Sequence, residues 1–266
     1  MGKNILVIAG SSDILFQSII LLLGKGWSVY ATSRQAINYE HINLHKFHLD
    51  VCDLKSFEAL EDSLSNVKFD AIIYGAGCVV SSPVENLDED ELRRQLDVNL
   101  FGFLRLIKLF SNKLNTNARI INLSSMAAYG LFPFISPYCL SKAASDILLR
   151  SFSLESGFKY VSIRPGAIKT KFWEQSICDN ENNFKNFGDK FKKQGEFLLS
   201  NARKNSMNAI SPKLVAKAIY RAVSAKNPKP IVTVGYDAFV CAMAAKFFPT
   251  NILDFIIKSV LRLKLK

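Results

Sequence analysis

The stretch ILVIAGSSDILFQSIILLLGKGWSVYAT, residues 5–32, places two short apolar runs on either side of a longer one. Residues 5–8 and 29–32 have the length and continuous apolar character of strands that are buried on both faces. Residues 14–23, between them, have the length of a helix. This order of strand, helix and strand predicts a crossover unit of a parallel sheet.

The same rhythm continues along the chain, because apolar runs of strand length alternate with amphipathic stretches of helix length. No internal repeat, low-complexity tract or flexible linker interrupts the 266 residues, so a single domain spanning 1–266 is expected. We predict an α/β fold with a doubly wound, Rossmann-like parallel sheet. Further strands are predicted at 47–51, 71–74, 119–123, 160–164 and 231–234.

Composition argues against several other classes of protein. The formal net charge is +11, but the basic residues are dispersed and form no nucleic-acid motif, so no nucleic-acid partner is expected. The five scattered cysteines predict reduced thiols in a cytoplasmic protein. His41, His45 and His48 alternate with apolar residues as on an edge strand, so no metal site is predicted. No apolar window of about twenty residues could span a bilayer, and the N-terminus does not read as a secretory signal.

Tyr138 and Lys142 form a proton-transfer pair if residues 137–156 are helical. Residues four apart share one helix face, so the ammonium can lie beside the phenol. A fixed positive neighbour favours the phenolate, which predicts a lowered pKa for Tyr138. The preceding Ser125 adds a hydroxyl to the set. The alternative is a chance Tyr-x-x-x-Lys spacing on a structural helix.

Polar or glycine-containing loops follow six of the predicted strands. The carboxyl ends of parallel strands share one edge of the sheet, where ligands bind in such folds. We therefore expect one cleft built from 10–13, Arg34, Asp50, 75–77, Ser125 and 165–170.

With these motifs in this order, about residues 3–235 resemble the short-chain dehydrogenase/reductase family, which reduces carbonyls or oxidises alcohols with a nicotinamide dinucleotide. The resemblance implies that Asn99, Ser125, Tyr138 and Lys142 are catalytic. A helix-kink residue is the alternative for Asn99. The cofactor contacts implied by the resemblance are Gly10, Ser11, Ser12, Ile14, Ser33, Arg34, Asp50, Val51, Ala76, Gly77, Tyr138, Lys142, Pro165, Gly166, Ile168 and Thr170.

The first loop departs from the family's Thr-Gly-x-x-x-Gly-x-Gly pattern. Ala9, Asp13 and Leu15 occupy the three glycine positions, and Gly10 comes one place late. Asp13 puts a carboxylate where an anion normally binds, unless it caps the helix from outside. Leu15 adds bulk, and the Tyr74-Gly75 pair replaces two asparagines. The alternative function is therefore a catalytically silent binding or scaffolding relative, against which the intact tetrad argues.

The end of the second strand predicts the cofactor. Enzymes that prefer NAD(H) usually place a carboxylate here, whereas this chain has Ser33 and Arg34. A hydroxyl followed by a guanidinium suits a 2′-phosphate, so NADP(H) is expected over NAD(H). The alternative for Arg34 is a solvated surface charge.

Residues 171–210 correspond to the region that the family uses as a substrate lid. Aromatic residues at such spacing usually form helix core. If some line the pocket instead, the substrate is apolar, such as a lipid, steroid or retinoid. The aromatic residues are Phe172, Trp173, Phe184, Phe187, Phe191 and Phe197.

Residues 250–266 predict an amphipathic helix with a wide apolar face. It could pack on its own domain, on a second subunit or on a bilayer. Packing within the protein or its homo-oligomer is favoured, because the polar stripe is only weakly cationic. The expected protein is cytoplasmic and homo-oligomeric, with peripheral membrane contact through this helix as the other option.

Overall fold

The computed structural model describes residues 3–185, 187–261 and 263. The strands are β1 (Asn4–Ile8), β2 (Ser28–Ser33), β3 (Leu44–His48), β4 (Phe69–Tyr74), β5 (Leu114–Leu123), β6 (Lys159–Pro165) and β7 (Ile231–Val234). They form one parallel sheet in the order β3-β2-β1-β4-β5-β6-β7, which confirms the predicted doubly wound fold. The strand order reverses between β1 and β4, the position where such sheets bind ligands.

Helices cover both faces of this sheet and continue beyond its last strand. They are α1 (Asp13–Leu23), α2 (Leu54–Ser63), α3 (Glu89–Leu96), α4 (Gly102–Phe110), α5 (Ser136–Ser156), α6 (Phe172–Asp179), α7 (Glu181–Lys185), α8 (Gly188–Asn208), α9 (Pro212–Ser224), α10 (Tyr236–Phe247) and α11 (Thr250–Val260). The predicted lid at 171–210 thus contains α6, α7 and α8.

Alternation along β1 builds two hydrophobic cores. Ile5 and Val7 face one cluster, which includes side chains of α1 and α9. Leu6 and Ile8 face the other, which includes side chains of α2, α4 and α5. Because successive side chains of a strand point to opposite faces, a continuous apolar run fills both cores at once.

The predicted bounds of the third strand were wrong. β3 begins at Leu44 and ends at His48, three residues earlier than predicted. It is an edge strand, so its exposed side gives only a weak apolar signal. Leu49 and Val51 are instead buried in the connection that follows β3. His45 and His48 lie on this edge strand as predicted, and His45 stacks on Tyr30 at a ring distance of 4.5 Å.

The predicted C-terminal helix is present over Thr250–Val260, while residues 262 and 264–266 of the prediction lie outside the described residues. No residue of α11 is fully buried, and Leu253 and Ile257 are half-buried, so the choice among its own domain, a second subunit and a bilayer stays a prediction. Within the ranges that the structure describes, no helix combines the length and apolar character that crossing a bilayer requires.

Candidate active site

The first turn of α5 brings the predicted proton-transfer pair to the carboxyl edge of the sheet. Pro137 lies in that turn, where its missing N–H leaves no helical hydrogen bond unmade. Tyr138 and Lys142 follow on one face, with Lys142 Nζ 5.7 Å from the Tyr138 ring centroid. Lys142 Nζ also donates to the carbonyl oxygen of Leu123, at the end of β5, at 2.8 Å. The lysine is therefore held against the strand that precedes Ser125.

Gly77, after β4, lies in the middle of the predicted tetrad. A Cβ atom built on it would lie 3.4 Å from Lys142 Nζ and 3.6 Å from Asn99 Oδ1. Asn99 Oδ1 accepts a hydrogen bond from the Cys78 N–H at 2.9 Å. Its Nδ2 donates to the Cys78 carbonyl oxygen and to Ser141 Oγ. Asn99 thus joins the loop after β4 to α5, and a Cβ at position 77 would be in van der Waals contact with both polar groups.

A π-helical segment at Asp97–Phe101 orients Asn99. The Tyr74 hydroxyl, at the end of β4, donates to the Val98 carbonyl oxygen within this segment. Gly102 gives the hydroxyl room, since a Cβ there would lie 2.5 Å from it. π-Helical turns open a helix locally and are common at functional sites. The predicted helix-kink role of Asn99 is therefore observed, and Tyr74 supports the kink.

The structure contradicts the predicted direction of the Tyr138 pKa. Burial raises the pKa of the phenol, and its hydrogen bond with Ser125 opposes this only in part. The prediction counted the charge of Lys142 but not the loss of water around the ring. Burial also lowers the pKa of Lys142 from 10.5 to about 8, against the attraction of Asp146. The lysine therefore exchanges its proton close to neutral pH.

The first loop keeps its turn without the usual first glycine. Ala9 adopts a left-handed conformation with φ of 70°, which glycine would adopt at lower cost. Ser12 caps α1 by position, but its buried Oγ has no hydrogen-bond partner among the described residues. The Asp13 carboxylate is paired, because it accepts a hydrogen bond from the Lys171 backbone N–H at 2.6 Å. The loop and the start of the lid are thereby joined.

The Leu15 side chain occupies space that is open because Gly75 has no side chain. Leu15 is fully buried, and a Cβ built on Gly75 would overlap its Cδ1 atom. The bulk that the sequence places at a glycine position therefore points into the core, where Gly75 leaves room for it. Gly10 serves packing too, since a Cβ there would lie 2.9 Å from Ile19.

Ser33 and Arg34 border a cleft of about 680 Å³ beyond the end of β2. Ser33 is buried and donates to Ser11 Oγ at 2.6 Å, which ties the first loop to this end of the site. Arg34 is exposed at its mouth. Asp50 accepts from the Cys52 N–H at 2.9 Å, so its carboxylate shapes the turn after β3. The Val51 carbonyl oxygen accepts from Arg105 at 2.9 Å.

The loop at 165–170 is held by α10. Gly166 N–H donates to the Val234 carbonyl oxygen, and Ala167 N–H donates to the Asp237 carboxylate at 2.6 Å. A Cβ on Gly166 would overlap that carboxylate, so any other residue there would displace Asp237 from its bond to the loop. Ile168 is buried, and the Thr170 hydroxyl lies 3.4 Å from its carbonyl oxygen.

The lid aromatics divide into two groups. Phe172 lies 6.4 Å from the Tyr138 ring, and Trp173 packs edge-on against Phe172, so these two border the site. The others whose ring contacts are described form lid core against Phe134, as aromatic spacing usually indicates. Phe197 is 40% exposed. The core rings are Phe184, Phe187 and Phe191.

Sequence reasoning missed several buried polar residues around the site. Asn180, from the lid, accepts from the Ser81 N–H at 2.7 Å and donates to the Val79 carbonyl oxygen at 2.6 Å. Asp146 lies one turn after Lys142, and its buried carboxylate is fully bonded. Its donors are Asn122, Ser124, Ser162 and Arg164. In the sequence, the only indication for Asp146 was its position eight residues after Tyr138 on the same helix. Nothing in the sequence indicated Asn180.

The residues present fit a dinucleotide. The unpartnered Ser12 hydroxyl lies at the N-terminus of α1, where phosphate oxygens bind in this fold. Gly77 leaves open space beside Lys142 that a Cβ would enter. The bulky Leu15 stays inside the core, so the steric objection raised by the sequence is removed.

The fold and site together define a Rossmann-like protein with a tyrosine-lysine pair at its ligand-binding edge. A family model for short chain dehydrogenase matches residues 3–181. The uncharacterized oxidoreductase YusZ of Bacillus subtilis is 26% identical over 98% of this chain and 99% of its own. The NADPH-dependent 1-acyldihydroxyacetone phosphate reductase of Schizosaccharomyces pombe is 30% identical over 58% of this chain and 55% of its own. The crystal structure of a short chain dehydrogenase from Burkholderia cenocepacia in complex with NADP has a TM-score of 0.75 at 19% identity, covering 99% of this chain and 98% of that one. The protein therefore belongs to the short chain dehydrogenase family of oxidoreductases.

Proposed function

We propose that this protein is an NADP(H)-dependent oxidoreductase that reduces the carbonyl of an apolar substrate, or oxidises the corresponding alcohol. The observation that carries the proposal is the convergence of Asn99 and Lys142 on Gly77, with Tyr138 and Ser125 hydrogen-bonded beside them. A hydroxyl, a phenol and an ammonium in one cleft are the groups that carbonyl reduction needs.

A nicotinamide dinucleotide held in this cleft would supply the hydride. Ser125 holds the substrate oxygen, and Tyr138 gives it a proton during reduction or removes one during oxidation. The raised pKa of Tyr138 keeps the phenol protonated at neutral pH, which suits reduction. Lys142, with a pKa of about 8, replaces that proton and also binds the nicotinamide ribose. Asn99 positions a water molecule that links Lys142 to solvent.

Tyr138→Phe tests these roles. We expect turnover to fall by about 10²- to 10⁴-fold, as for loss of a general acid, while NADPH affinity stays within about twofold. Tyr160→Phe, on β6, is the matched control and should leave both values near wild type. A Tyr138→Phe protein that still turns over would overturn the assignment. If the wild type neither turns over nor enhances NADPH fluorescence, the catalytically silent alternative is correct.

The preference for NADP(H) rests on Ser33 and Arg34 at the mouth of the cleft after β2. A guanidinium binds a 2′-phosphate through charge-assisted hydrogen bonds, each worth about 1.5–3 kcal/mol. Arg34→Ala should therefore weaken NADPH binding by about 10- to 100-fold and leave NADH binding nearly unchanged, as measured by calorimetry. Tighter binding of NADH by the wild type would contradict the preference.

The substrate side is apolar. Phe172 lies beside Tyr138, and Trp173 packs on Phe172 and donates to the carbonyl oxygen of the buried Ile168. The fission-yeast relative is named as a reductase of an acylated phosphate ester, which supports a lipid among the possible substrates and a place in lipid metabolism. We propose a cytoplasmic protein that takes such a substrate, or a steroid or retinoid, with peripheral membrane contact through its C-terminal helix.

We also propose a homo-oligomer formed through α5. Leu140, Ile147 and Leu154 are all more than half exposed and recur at seven-residue spacing, as in helices that pair along one seam. Light scattering of Leu154→Glu should report a smaller particle than wild type. An unchanged particle mass would remove α5 from the interface.

A further inference from the structure

The last two helices carry an extended set of exposed apolar side chains. Phe247 is 67% exposed, Phe255 is 59% exposed and Val260 is 61% exposed. Scattered exposed apolar residues are ordinary, but a concentration of them on two consecutive helices points to an interaction surface. We call this set the terminal apolar face. Its members are Tyr236, Phe239, Val240, Phe247, Phe248, Ile252, Phe255, Ile256 and Val260.

Cations accompany the terminal apolar face. Lys246 and Lys258 are exposed on α10 and α11, and the sequence ends with Arg262, Lys264 and Lys266. The acidic residues of 236–266 are Asp237 and Asp254, and Asp237 is already bonded to the Ala167 N–H. The segment therefore has an excess of positive charge beside exposed aromatic and aliphatic groups.

This chemistry selects an anionic bilayer surface over a second copy of the chain. If this face paired with the same face of a second copy, both surfaces would carry the same excess of positive charge, which opposes association. An anionic membrane accepts apolar side chains at the level of the acyl boundary and attracts lysines to its headgroups.

The two helices are also joined to both walls of the candidate active site. At the start of α10, Asp237 holds the loop at 165–170 through the Ala167 N–H. Just after α11, the Leu261 carbonyl oxygen accepts from Gln194 of the lid helix α8 at 3.1 Å. A membrane that binds the terminal apolar face therefore acts on helices that are bonded directly to the elements around the candidate site.

We propose that α10 and α11 dock this protein on anionic membrane surfaces, so that the lid receives an apolar substrate from the lipid phase. Docking needs no turnover, and only the delivery of a substrate rests on the proposed function.

The experiment is vesicle flotation of the full chain with phosphatidylcholine alone and with phosphatidylcholine containing phosphatidylserine. We expect binding to the anionic vesicles and a marked loss of binding between about 0.1 M and about 1 M salt. Phe247→Ser/Phe248→Ser should lower binding at least about tenfold, because it removes two aromatic groups from the apolar contact. Lys246→Gln/Lys258→Gln should remove most of the preference for anionic vesicles.

Ile42→Ser/Leu54→Ser is the matched control. Ile42 is 91% exposed and Leu54 is 50% exposed, and both lie near β3, at the opposite edge of the sheet from β7. This variant should float like wild type. Failure of the wild type to float, or flotation of the serine pair at 247 and 248 like wild type, would overturn the proposal. The proposal would also be overturned if the wild type did not bind vesicles and the variant Phe247→Ser/Phe248→Ser had a smaller particle mass than the wild type. The terminal apolar face would then belong to an interface with a second copy.

NADPH binding and reduction of a water-soluble carbonyl, measured on the same preparations, separate this proposal from the proposed function. Loss of flotation with retained turnover would refute docking alone. Flotation of a protein that does not turn over would refute the proposed activity and leave docking supported.

Discussion

Replacing Lys142 by methionine should stabilise this protein at neutral pH while it abolishes activity. The lysine is only 5% exposed, and burial lowers its pKa from 10.5 to about 8. At about 1.4 kcal/mol for each pH unit between these values, the fold disfavours the charged form by about 3 kcal/mol. The substitution also removes the hydrogen bond to the Leu123 carbonyl oxygen, worth about 1 kcal/mol. The expected net gain at pH 7 is about 2 kcal/mol.

The pH dependence of the free energy of unfolding gives this prediction its sign. Below pH 8 the side chain is protonated in both states, so the folded protein carries the full cost of the buried charge. Between about pH 8 and 10.5 the unfolded chain binds more protons than the folded one, and wild-type stability rises with pH. The advantage of Lys142→Met should therefore shrink by about 3 kcal/mol over that window.

Urea denaturation of both proteins at several pH values from 7 to 10 is the assay. Tyr138→Phe is the control, because it keeps the lysine. Its stability should rise with pH at least as steeply as that of the wild type, in which the raised pKa of the buried phenol opposes the rise near pH 10. A difference between wild type and Lys142→Met that does not change with pH would refute the reasoning. A loss of stability in Lys142→Met at pH 7 would refute it as well.

Three further substitutions test the architecture around the site. Ala9→Gly should raise the free energy of unfolding by about 1 kcal/mol, because it relieves a left-handed alanine with φ of 70°; a loss of stability would contradict that conformation. Tyr74→Phe should lower the free energy of unfolding by about 1–2 kcal/mol, because it leaves the Val98 carbonyl unpaired. It should also lower kcat, with a smaller change in the KM for NADPH, because Asn99 shifts. An unchanged kcat would limit the hydroxyl to a role in stability. Gly75→Ala should cost about 1–3 kcal/mol in the wild type and clearly less in a Leu15→Ala background, and equal costs in both, by denaturation, would disprove the contact.

The fold followed from the sequence because buried parallel strands leave a local signal. A strand covered on both faces must be apolar at nearly every position, and β1 and β4 are. β3 lies at the edge and is exposed on one side, so the apolar residues of the following connection gave a stronger signal than the strand itself.

The core of the candidate site was predictable for a different reason. Spacing along one helix fixes which residues share a face, so the proximity of Tyr138 and Lys142 follows from α5 alone. Asn180 and Asp237 reach the site from distant parts of the chain and leave no periodic pattern. The pKa of Tyr138 was mispredicted because a charged neighbour is visible in the sequence, whereas the water excluded by tertiary packing is not.

The contact between Leu15 and Gly75 restricts how this loop can evolve. A glycine at position 15 alone would leave a void the size of a leucine side chain, and an asparagine at position 75 alone would collide with that leucine. Each single step toward the family's pattern therefore passes through a less stable protein, while both steps together come closer to preserving the occupied volume. The two positions are epistatic, and natural variants of this chain are expected to inherit them as a pair.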